Sequence, residues 1–351
     1  MPFRQKHQIV GLDIGSAVIK AVELTPLKRG HTLSQYGHLE LPTGTIEQGA
    51  VANMAHLSDA LRELFQRYDF KTRQVALALN SQTVVKETIA LEKSADDYLY
   101  ERVLLESEHH IPFGLEEVNI DFHVIGDHPV NPHLMDILVV AAKKETINAY
   151  LQATAAANLK ACIVDVDLFA LQNSFYQGHP HAKETVALID IGAQSTLFCV
   201  VQDGLPLFSR NLPFGCRQID QRIAQQQGCS EAEAQRIKFG DSARGIATDQ
   251  FYRLELDITN RWCTEIGQTV KIYSNSYATQ PITHIYLSGG GANVPVFRQQ
   301  LALETGLLID LLDPFGPIVI KTDRFDTRTI RGVAPQAAIS VGLSLRRAND
   351  K

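Results

Sequence analysis

Two short segments, one in each half of the chain, place an aspartate and a glycine between apolar runs. The first is Gly11 to Lys20 (GLDIGSAVIK), and the second is Ala187 to Val201 (ALIDIGAQSTLFCVV). β-Branched residues on both sides of each Asp-Gly pair predict a strand-turn-strand hairpin. A glycine turn lets the backbone come close to an anion, and an aspartate beside it can hold a metal ion through water. The two segments therefore predict two phosphate-binding hairpins.

Because one hairpin lies in each half of the chain, two related lobes can face each other and hold a Mg-nucleotide between them. A dinucleotide-binding loop or a P-loop is disfavoured, since neither a helix nor a Lys-Ser/Thr pair follows the glycine. For either copy alone, a purely structural hairpin is the alternative. The candidate nucleotide-binding residues of the hairpins are Asp13, Gly15, Ser16, Lys20, Asp190, Gly192, Ser195 and Thr196, with Asp13 and Asp190 organising the metal ion through water.

A third segment, THIYLSGGGANVPVF, joins a predicted strand to a predicted helix that starts near Pro295. Its glycines Gly289, Gly290 and Gly291 allow a close backbone approach, which suits the face of a ribose or an adenine. The following helix N-terminus favours anions. A plain strand-to-helix loop is the alternative interpretation.

The composition excludes several classes of protein. With 351 residues, 45% of them apolar and 21% charged, the chain is typical of a soluble protein of about two domains. The formal net charge of -6 gives no reason to expect a nucleic acid partner. Without a signal peptide or a run of about 18 apolar residues, we expect a cytoplasmic protein. The five cysteines form no CxxC pair, which favours reduced thiols over a zinc site or disulfides.

The segments between these motifs alternate strand and helix patterns, which indicates an α/β protein. An amphipathic helix is predicted around residues 54–68, and a long one over residues 250–277. Between residues 74 and 157 the pattern predicts strands, a helix that Ser94 opens as an N-cap, two further strands and an Ala-rich helix. This segment is long enough to form a small α+β insertion of its own.

The order of the motifs resembles a known superfamily. DIGS, the second DIG and SGGGAN look like the phosphate-1, phosphate-2 and adenosine motifs of the actin and sugar kinase superfamily, and GVAPQAAISVGLSL resembles its second connecting helix. Within it, HHIPFGLEEVNIDFHVIG, ILVVAAKKETI, VDVDLFALQNSF and PFGCRQID resemble the PilM family of type IV pilus assembly proteins, which are FtsA-like relatives of actin.

This resemblance implies an α/β, two-lobed actin-like ATPase fold, a duplicated ribonuclease H-like architecture with an FtsA-type 1C insertion. The implied division of the chain is as follows: residues 1–74, 160–185 and 333–351 form the first lobe (subdomain 1A), 75–159 the inserted 1C-like subdomain, 186–205 and 278–332 the second lobe (subdomain 2A), and 206–277 subdomain 2B.

The resemblance also implies a function. PilM-family proteins are cytoplasmic components of the inner-membrane complex in type IV pilus biogenesis and twitching motility, with ATP and Mg²⁺ as ligands. Their partner is the cytoplasmic N-terminal peptide of PilN, and PilO and the assembly ATPases belong to the same machine. We expect membrane association only through such partners. Ile111, Pro112 and Phe113 are the candidate walls of a peptide groove beside the 1C-like insertion.

Departures from the superfamily pattern bear on catalysis. Asp167 stands where chaperone and filament relatives carry the Glu or Gln that orients the attacking water, so ATP hydrolysis is expected to be slow or absent. Gln235 stands where a ribose-binding Glu is common, and Lys238 is retained. Two other functions stay open at this point: an FtsA-like cell-division or filament-forming protein, and a small-molecule kinase of the same superfamily.

Overall fold

The computed structural model describes residues 8–93, 98–238 and 247–347, and these residues form four β-sheets. The proposed N-cap Ser94 lies outside the described residues. The strands are β1 (Val10–Ile14), β2 (Val18–Pro26), β3 (His31–Glu40), β4 (Ile46–Glu47), β5 (Ala50–Val51), β6 (Gln74–Leu79), β7 (Val84–Glu92), β8 (Val118–Asp127), β9 (Leu134–Lys143), β10 (Lys160–Val166), β11 (Val186–Ile191), β12 (Thr196–Gln202), β13 (Leu205–Leu212), β14 (His284–Ser288), β15 (Leu308–Leu311) and β16 (Ile318–Val319).

The helices are amphipathic or buried, and none of those described has the length and apolar character needed to cross a membrane. They are α1 (Met54–Arg67), α2 (Leu99–Ser107), α3 (Lys144–Ala156), α4 (Asp167–Gly178), α5 (Arg217–Gln227), α6 (Glu231–Lys238), α7 (Thr248–Ser276), α8 (Phe297–Thr305), α9 (Thr327–Val333) and α10 (Ala338–Ser344). Helix α1 begins at Asn53, whose side chain accepts a hydrogen bond from the His56 amide.

Two sheets share one topology. The first has the order β10-β6-β1-β2-β3-β16, and the second has the order β13-β12-β11-β14-β15. In each, an antiparallel three-strand meander (β1 to β3, or β11 to β13) continues into two parallel strands, β6 and β10 or β14 and β15. The repeated topology shows that the two halves of the chain form two related lobes.

Helices α4 and α10 pack together between the central strands of the first sheet and the second lobe. A Cβ added to Gly11 on β1 would lie 2.0 Å from the Ser340 carbonyl oxygen of α10, so only glycine fits there. The opposite side of the molecule is covered by α1 and α3, which contact each other and the first sheet. The second sheet packs against α5, α7 and α8 around the fully buried Trp262.

A separate three-stranded sheet, in the order β7-β9-β8, forms the inserted unit with α2. Ile137, Val139 and Ala141 alternate along β9 and point into a small core that includes Val103 of α2. The intervening Val140 packs instead against the core of the first lobe. One face of this sheet therefore meets α2, and the other face turns toward the first lobe.

The observed strand pairing and helix packing cross the implied subdomain boundaries at four elements. Strand β6 hydrogen-bonds between β1 and β10, and α3 packs on α1, so both belong with the first lobe and the inserted sheet covers residues 84–143. Strand β13 completes the sheet of the second lobe instead of lying in subdomain 2B. Strand β16 pairs with β3 of the first sheet. Long-range strand pairing accounts for β6, β13 and β16, and helix packing accounts for α3. Local sequence patterns indicate neither.

Candidate functional site

The first predicted hairpin places a cation opposite a carboxylate. In the β1–β2 ladder, Asp13 lies directly across from Lys20. The turn is closed by the Gly15 amide, which donates to the Val18 carbonyl at 3.2 Å. A Cβ at Gly15 would lie 2.9 Å from the same oxygen, so the turn tolerates no side chain there. The local pattern in the sequence thus produces a narrow turn with an acidic and a basic group just below it.

The second hairpin repeats this backbone geometry. Asp190 lies across from Leu197 in the β11–β12 ladder, and the Gly192 amide donates to the Ser195 carbonyl at 3.0 Å. A Cβ at Gly192 would lie 2.9 Å from that oxygen, as in the first hairpin. The two turns differ in one respect, because the residue opposite the aspartate is a lysine in the first and a leucine in the second. Lys20 is therefore the lysine whose positive charge acts on both Asp13 and Asp190.

The three charged side chains interact across the two lobes. The Lys20 Nζ atom is 2.7 Å from Asp13 Oδ2, and both side chains are largely buried. The Ser288 hydroxyl of β14 donates to Asp190 Oδ1 at 2.8 Å. Burial lowers the pKa of Lys20, but the charges of Asp13 and Asp190 raise it above its ordinary value. The ammonium therefore stays charged between two carboxylates.

The same cluster holds Asp190 in an unfavourable environment. Burial and the nearby Asp13 raise the pKa of Asp190 to about 6, although Lys20 and the Ser288 hydroxyl act in the opposite direction. Two carboxylates that repel each other and share one cation form a site with excess negative charge. Such a charge imbalance favours binding of a divalent cation.

The donor set fits a magnesium ion held mainly by water and phosphate. The residues that the structure describes contain no group of three or more His, Cys, Asp or Glu side chains able to enclose a metal ion. Magnesium in proteins commonly keeps several waters and uses one or two carboxylates together with ligand phosphates. Asp13 and Asp190 suit that mode, and Lys20 provides a positive charge for a phosphate group.

The triple glycine lies beside the second hairpin. Gly289 has φ +80°, and a Cβ there would lie 2.4 Å from the Ile191 carbonyl oxygen. A Cβ at Gly291 would lie 2.3 Å from the Ile191 side chain. These two glycines are required by packing against β11. Gly290 is exposed, and a Cβ added there would have Cys216 Sγ, at 3.8 Å, as its nearest neighbour. Gly290 is thus the glycine whose surface a ligand can reach.

A cavity of about 190 Å³ lies between the lobes and is lined by Ser16 and residues 40–43 on one side and by Gln194, Arg217 and Gln235 on the other. Gln235 therefore faces the cleft. Lys238, one turn further along α6, is 2.5 Å from Asp220 Oδ1. The structure brings Gln235 and the tips of the two hairpins to one cavity, whereas Lys238 is not among the residues that line it.

Comparison with known families identifies the chain at this point. A family model described as type IV pilus assembly protein PilM matches residues 11–348. The chain belongs to the PilM family. Of the three hypotheses that the sequence left open, this match supports the pilus assembly protein.

Solved structures agree on the fold of this PilM-family chain. A PilM-PilN type IV pilus biogenesis complex matches with a TM-score of 0.84 at 23% identity, over 98% of this chain and 99% of that chain. The ethanolamine utilization protein EutJ from Carboxydothermus hydrogenoformans matches with a TM-score of 0.59 at 14% identity, over 98% and 91% of the two chains. MreB 5 of Spiroplasma citri, bound to AMPPNP, matches with a TM-score of 0.51 at 12% identity, over 96% and 95%. The predicted actin-like fold is confirmed.

Not every predicted residue faces the cleft of this PilM-family chain. The Thr196 hydroxyl is fully buried and donates to the Phe214 carbonyl at 3.0 Å. Its role in the structure is to hold the start of β12 against the segment before α5. Ser195, in the turn itself, is partly exposed. The sequence pattern did not distinguish the two hydroxyls.

Asp167 is the first residue of α4 and is buried. Its Oδ1 accepts hydrogen bonds from the Ser81 amide at 3.0 Å and from the Leu168 amide at 2.7 Å. Burial raises the pKa of Asp167 to about 7, while these bonds and the charge of Lys86 lower it. The carboxylate is therefore held in a fixed orientation by the backbone.

The candidate groove residues lie mainly in the inserted core. Ile111 is buried there, and Phe113 packs against the same cluster with Lys143 Nζ 4.2 Å from its ring centre. Pro112 is exposed. The first two side chains hold α2 against the sheet, so an open groove is better sought on the opposite face of that sheet.

Sequence reasoning missed the contacts that close the mouth of the cleft. The Gln194 amide group of the second hairpin donates to the Ile46 carbonyl at 3.4 Å and to Glu47 Oε2 at 3.3 Å. Arg217 donates to Glu231 at 2.8 Å and lies 4.0 Å from Glu47. Glu47 belongs to the short β4–β5 hairpin of the first lobe. No local pattern marks these residues, because they meet only when the lobes pack.

A larger cavity, of about 450 Å³, lies between α5 and α7 and contains none of the candidate residues. Its floor is the stacked pair Phe214 and Trp262, with ring centres 5.5 Å apart. The Trp262 Nε1 atom donates to Gln218 at 2.8 Å, and Arg261 pairs with Asp257 at 3.0 Å on the rim. These polar groups already form a hydrogen bond and an ion pair with one another, so we assign no ligand to this cavity.

Proposed function

We propose that this protein binds Mg-ATP in the cleft between its two lobes. The observation that carries the proposal is the meeting of Asp13, Lys20 and Asp190, which come from two hairpins of identical register. In this proposal the two glycine turns and Ser16 receive the phosphates. The exposed Gly290 and the α6 residues Gln235 and Lys238 receive the nucleoside. The AMPPNP bound to MreB 5 of Spiroplasma citri, a protein of the same fold, agrees with this proposal.

Calorimetric titration with Mg-ATP tests this site. Lys20→Met removes a charge-assisted contact worth about 1.5 to 3 kcal/mol, so we expect affinity to fall by about 10- to 150-fold. Lys71→Met is the matched control, because Lys71 pairs with Asp69 on the exposed surface of the same lobe. Circular dichroism must show both variants folded. Equal affinity of wild type and the folded Lys20 variant refutes the site.

We propose that ATP turnover is slow or absent. The Asp167 carboxylate is one methylene shorter than Glu, and its Oδ1 already accepts two backbone amides, which leaves it poorly placed to orient water. Phosphate release measured at saturating Mg-ATP should lie far below the ~10 s⁻¹ of a typical enzyme. A rate near that value contradicts the proposal.

We propose that the protein docks the cytoplasmic N-terminal peptide of PilN beside the inserted sheet. The support is the family and the fold shared with a PilM-PilN complex. The face of the sheet opposite α2 offers Thr88 and Leu138, which are cross-strand neighbours and are not buried in the inserted core. An extended peptide with a few apolar side chains suits such a surface. A contact of this size is expected to be of about micromolar affinity.

Two adjacent residues of β7 give a matched test of this docking. Thr88 and Glu87 are both exposed, but they point to opposite faces of the sheet. Thr88→Arg should weaken binding of a fluorescent PilN peptide at least about tenfold, whereas Glu87→Arg should leave it unchanged. If the two variants bind the peptide equally well, the face is assigned wrongly.

Docking of this kind places the protein on the cytoplasmic side of the inner membrane, held there by PilN together with PilO and the assembly ATPases. Cell fractionation tests the localisation. We expect the protein to move from the membrane to the soluble fraction in cells that lack PilN. Retention at the membrane in those cells refutes recruitment by PilN.

A further inference from the structure

A half-buried lysine and two buried groups lie near one another at the root of the inserted sheet, and none of them makes a proposed contact with Mg-ATP. Lys86 belongs to β7, Asp167 begins α4, and Cys199 belongs to β12 of the second lobe. The charges of Lys86 and Asp167 act on the Cys199 thiol, and Lys86 acts on Asp167. The inserted sheet, the first lobe and the second lobe thus converge at this point.

A chain of hydrogen bonds links the three units. The Lys86 ammonium donates to the Ser81 carbonyl at 3.0 Å, and the Ser81 amide donates to Asp167 Oδ1 at 3.0 Å. The Ser81 hydroxyl donates to Asn211 Oδ1 on β13 at 3.2 Å. One residue, Ser81, therefore connects the lysine of the inserted sheet with the carboxylate of α4 and with the second lobe.

The charges around Asp167 are few. Tyr150 of α3 and Cys199 of β12 lie near it, and burial raises the pKa of both, so each is neutral at pH 7. Burial lowers the pKa of Lys86, while Asp167 raises it. Among the described residues, Lys86 is the cation that acts on Asp167. The carboxylate form of Asp167 is therefore favoured by its hydrogen bonds from Ser81 and Leu168 and, in addition, by the positive charge of Lys86.

We propose that Lys86 is a positioning residue that, through its hydrogen bond to Ser81, links the inserted sheet to the first turn of α4 and favours the carboxylate form of Asp167. Lys86 and Thr88 lie two residues apart on β7 and share the face that turns toward the first lobe. A peptide seated against Thr88 would then act on the cleft through Lys86. This last consequence rests on the proposed docking and nucleotide sites, whereas the link between Lys86 and Asp167 does not.

Infrared titration of the full chain without nucleotide measures the ionisation of Asp167 directly, with Asp167→Asn to identify its carboxyl band. Loss of the positive charge in Lys86→Met should raise the midpoint of that band by up to about one pH unit. Lys86→Arg should restore it. Lys86→Gln separates the charge from the hydrogen bond, since it keeps a donor for Ser81, and it should behave like Met.

Lys144→Met is the matched control, because Lys144 also donates to a backbone carbonyl, that of Glu116 at 2.7 Å, but on an exposed surface. It should leave the midpoint of the Asp167 band unchanged. If folded Lys86→Met and Lys86→Gln proteins both titrate like wild type, the proposal is wrong. A chain that binds no Mg-ATP but shows the shifted midpoint would refute the proposed nucleotide site and still support the role of Lys86.

Discussion

Replacing Asp190 by Asn should stabilise the protein without ligand while it weakens binding of Mg-ATP. Asn has nearly the same shape and can still accept the hydrogen bond from the Ser288 hydroxyl. It carries no charge, so it removes the repulsion between Asp190 and Asp13. The loss of attraction to Lys20 is already included in the net shift, which is upward.

The magnitude follows from that shift. The pKa of Asp190 rises from 3.8 to about 6, and one pKa unit corresponds to about 1.4 kcal/mol, which sets an upper limit of about 3 kcal/mol. Because the side chain is partly accessible, we expect about half of this limit. An acid whose pKa is raised in the folded state binds a proton on folding, so the penalty is absent below about pH 4 and complete above about pH 6.

Urea unfolding at pH 4 and at pH 8 measures this effect. The Asn variant should match wild type at pH 4 and exceed it by about 1 to 2 kcal/mol at pH 8. Asp203→Asn is the control, because Asp203 is exposed in the β12–β13 turn of the same sheet and should show no such difference. An Asp190→Asn protein that is no more stable than wild type at pH 8 refutes the reasoning.

Three further variants separate structural residues from ligand-binding ones. Gly289→Ala should lower the free energy of unfolding by about 2 kcal/mol or more in urea, since alanine is strained at φ +80° and its Cβ would meet the Ile191 carbonyl. Thr196→Val should lose about 1 to 2 kcal/mol by the same assay with unchanged affinity for Mg-ATP in calorimetry, because its hydroxyl bonds Phe214. Ile111→Ala should lower the melting temperature through a cavity costing about 2 to 4 kcal/mol, and a normal melting temperature would restore Ile111 as an open groove wall.

The two hairpins were predictable because their signals are local. Asp13 and Lys20 stand at positions that any tight hairpin brings opposite each other, and the same spacing recurs after Asp190. Long amphipathic helices such as α1 and α7 also follow from spacing alone. The pairing of β16 with β3, which completes the first sheet, could not be predicted from such local signals. Strand β16 has two residues, and nothing in them indicates pairing with β3.

The parts of the site that escaped prediction depend on chain segments far apart in sequence. Ser288 reaches Asp190 only because β14 pairs with β11 in parallel register. Lys86 reaches Ser81 by a turn at the base of the inserted sheet. In contrast, Thr196 looked like a ligand residue since its position beside a glycine turn is visible in sequence and its buried bond to Phe214 is not.

The first sheet combines strands from distant parts of the chain, and this constrains the order in which the protein can fold during synthesis. Its strands come from residues 10–40, 74–79, 160–166 and 318–319, and helix α10 seals β1 where Gly11 meets Ser340. Because synthesis proceeds from the N-terminus, β1 leaves the ribosome long before helix α10, which covers it, has been synthesised. The inserted sheet over residues 84–143 has its own core and can form early. We expect the first lobe to be the last part of the protein to become resistant to protease during synthesis.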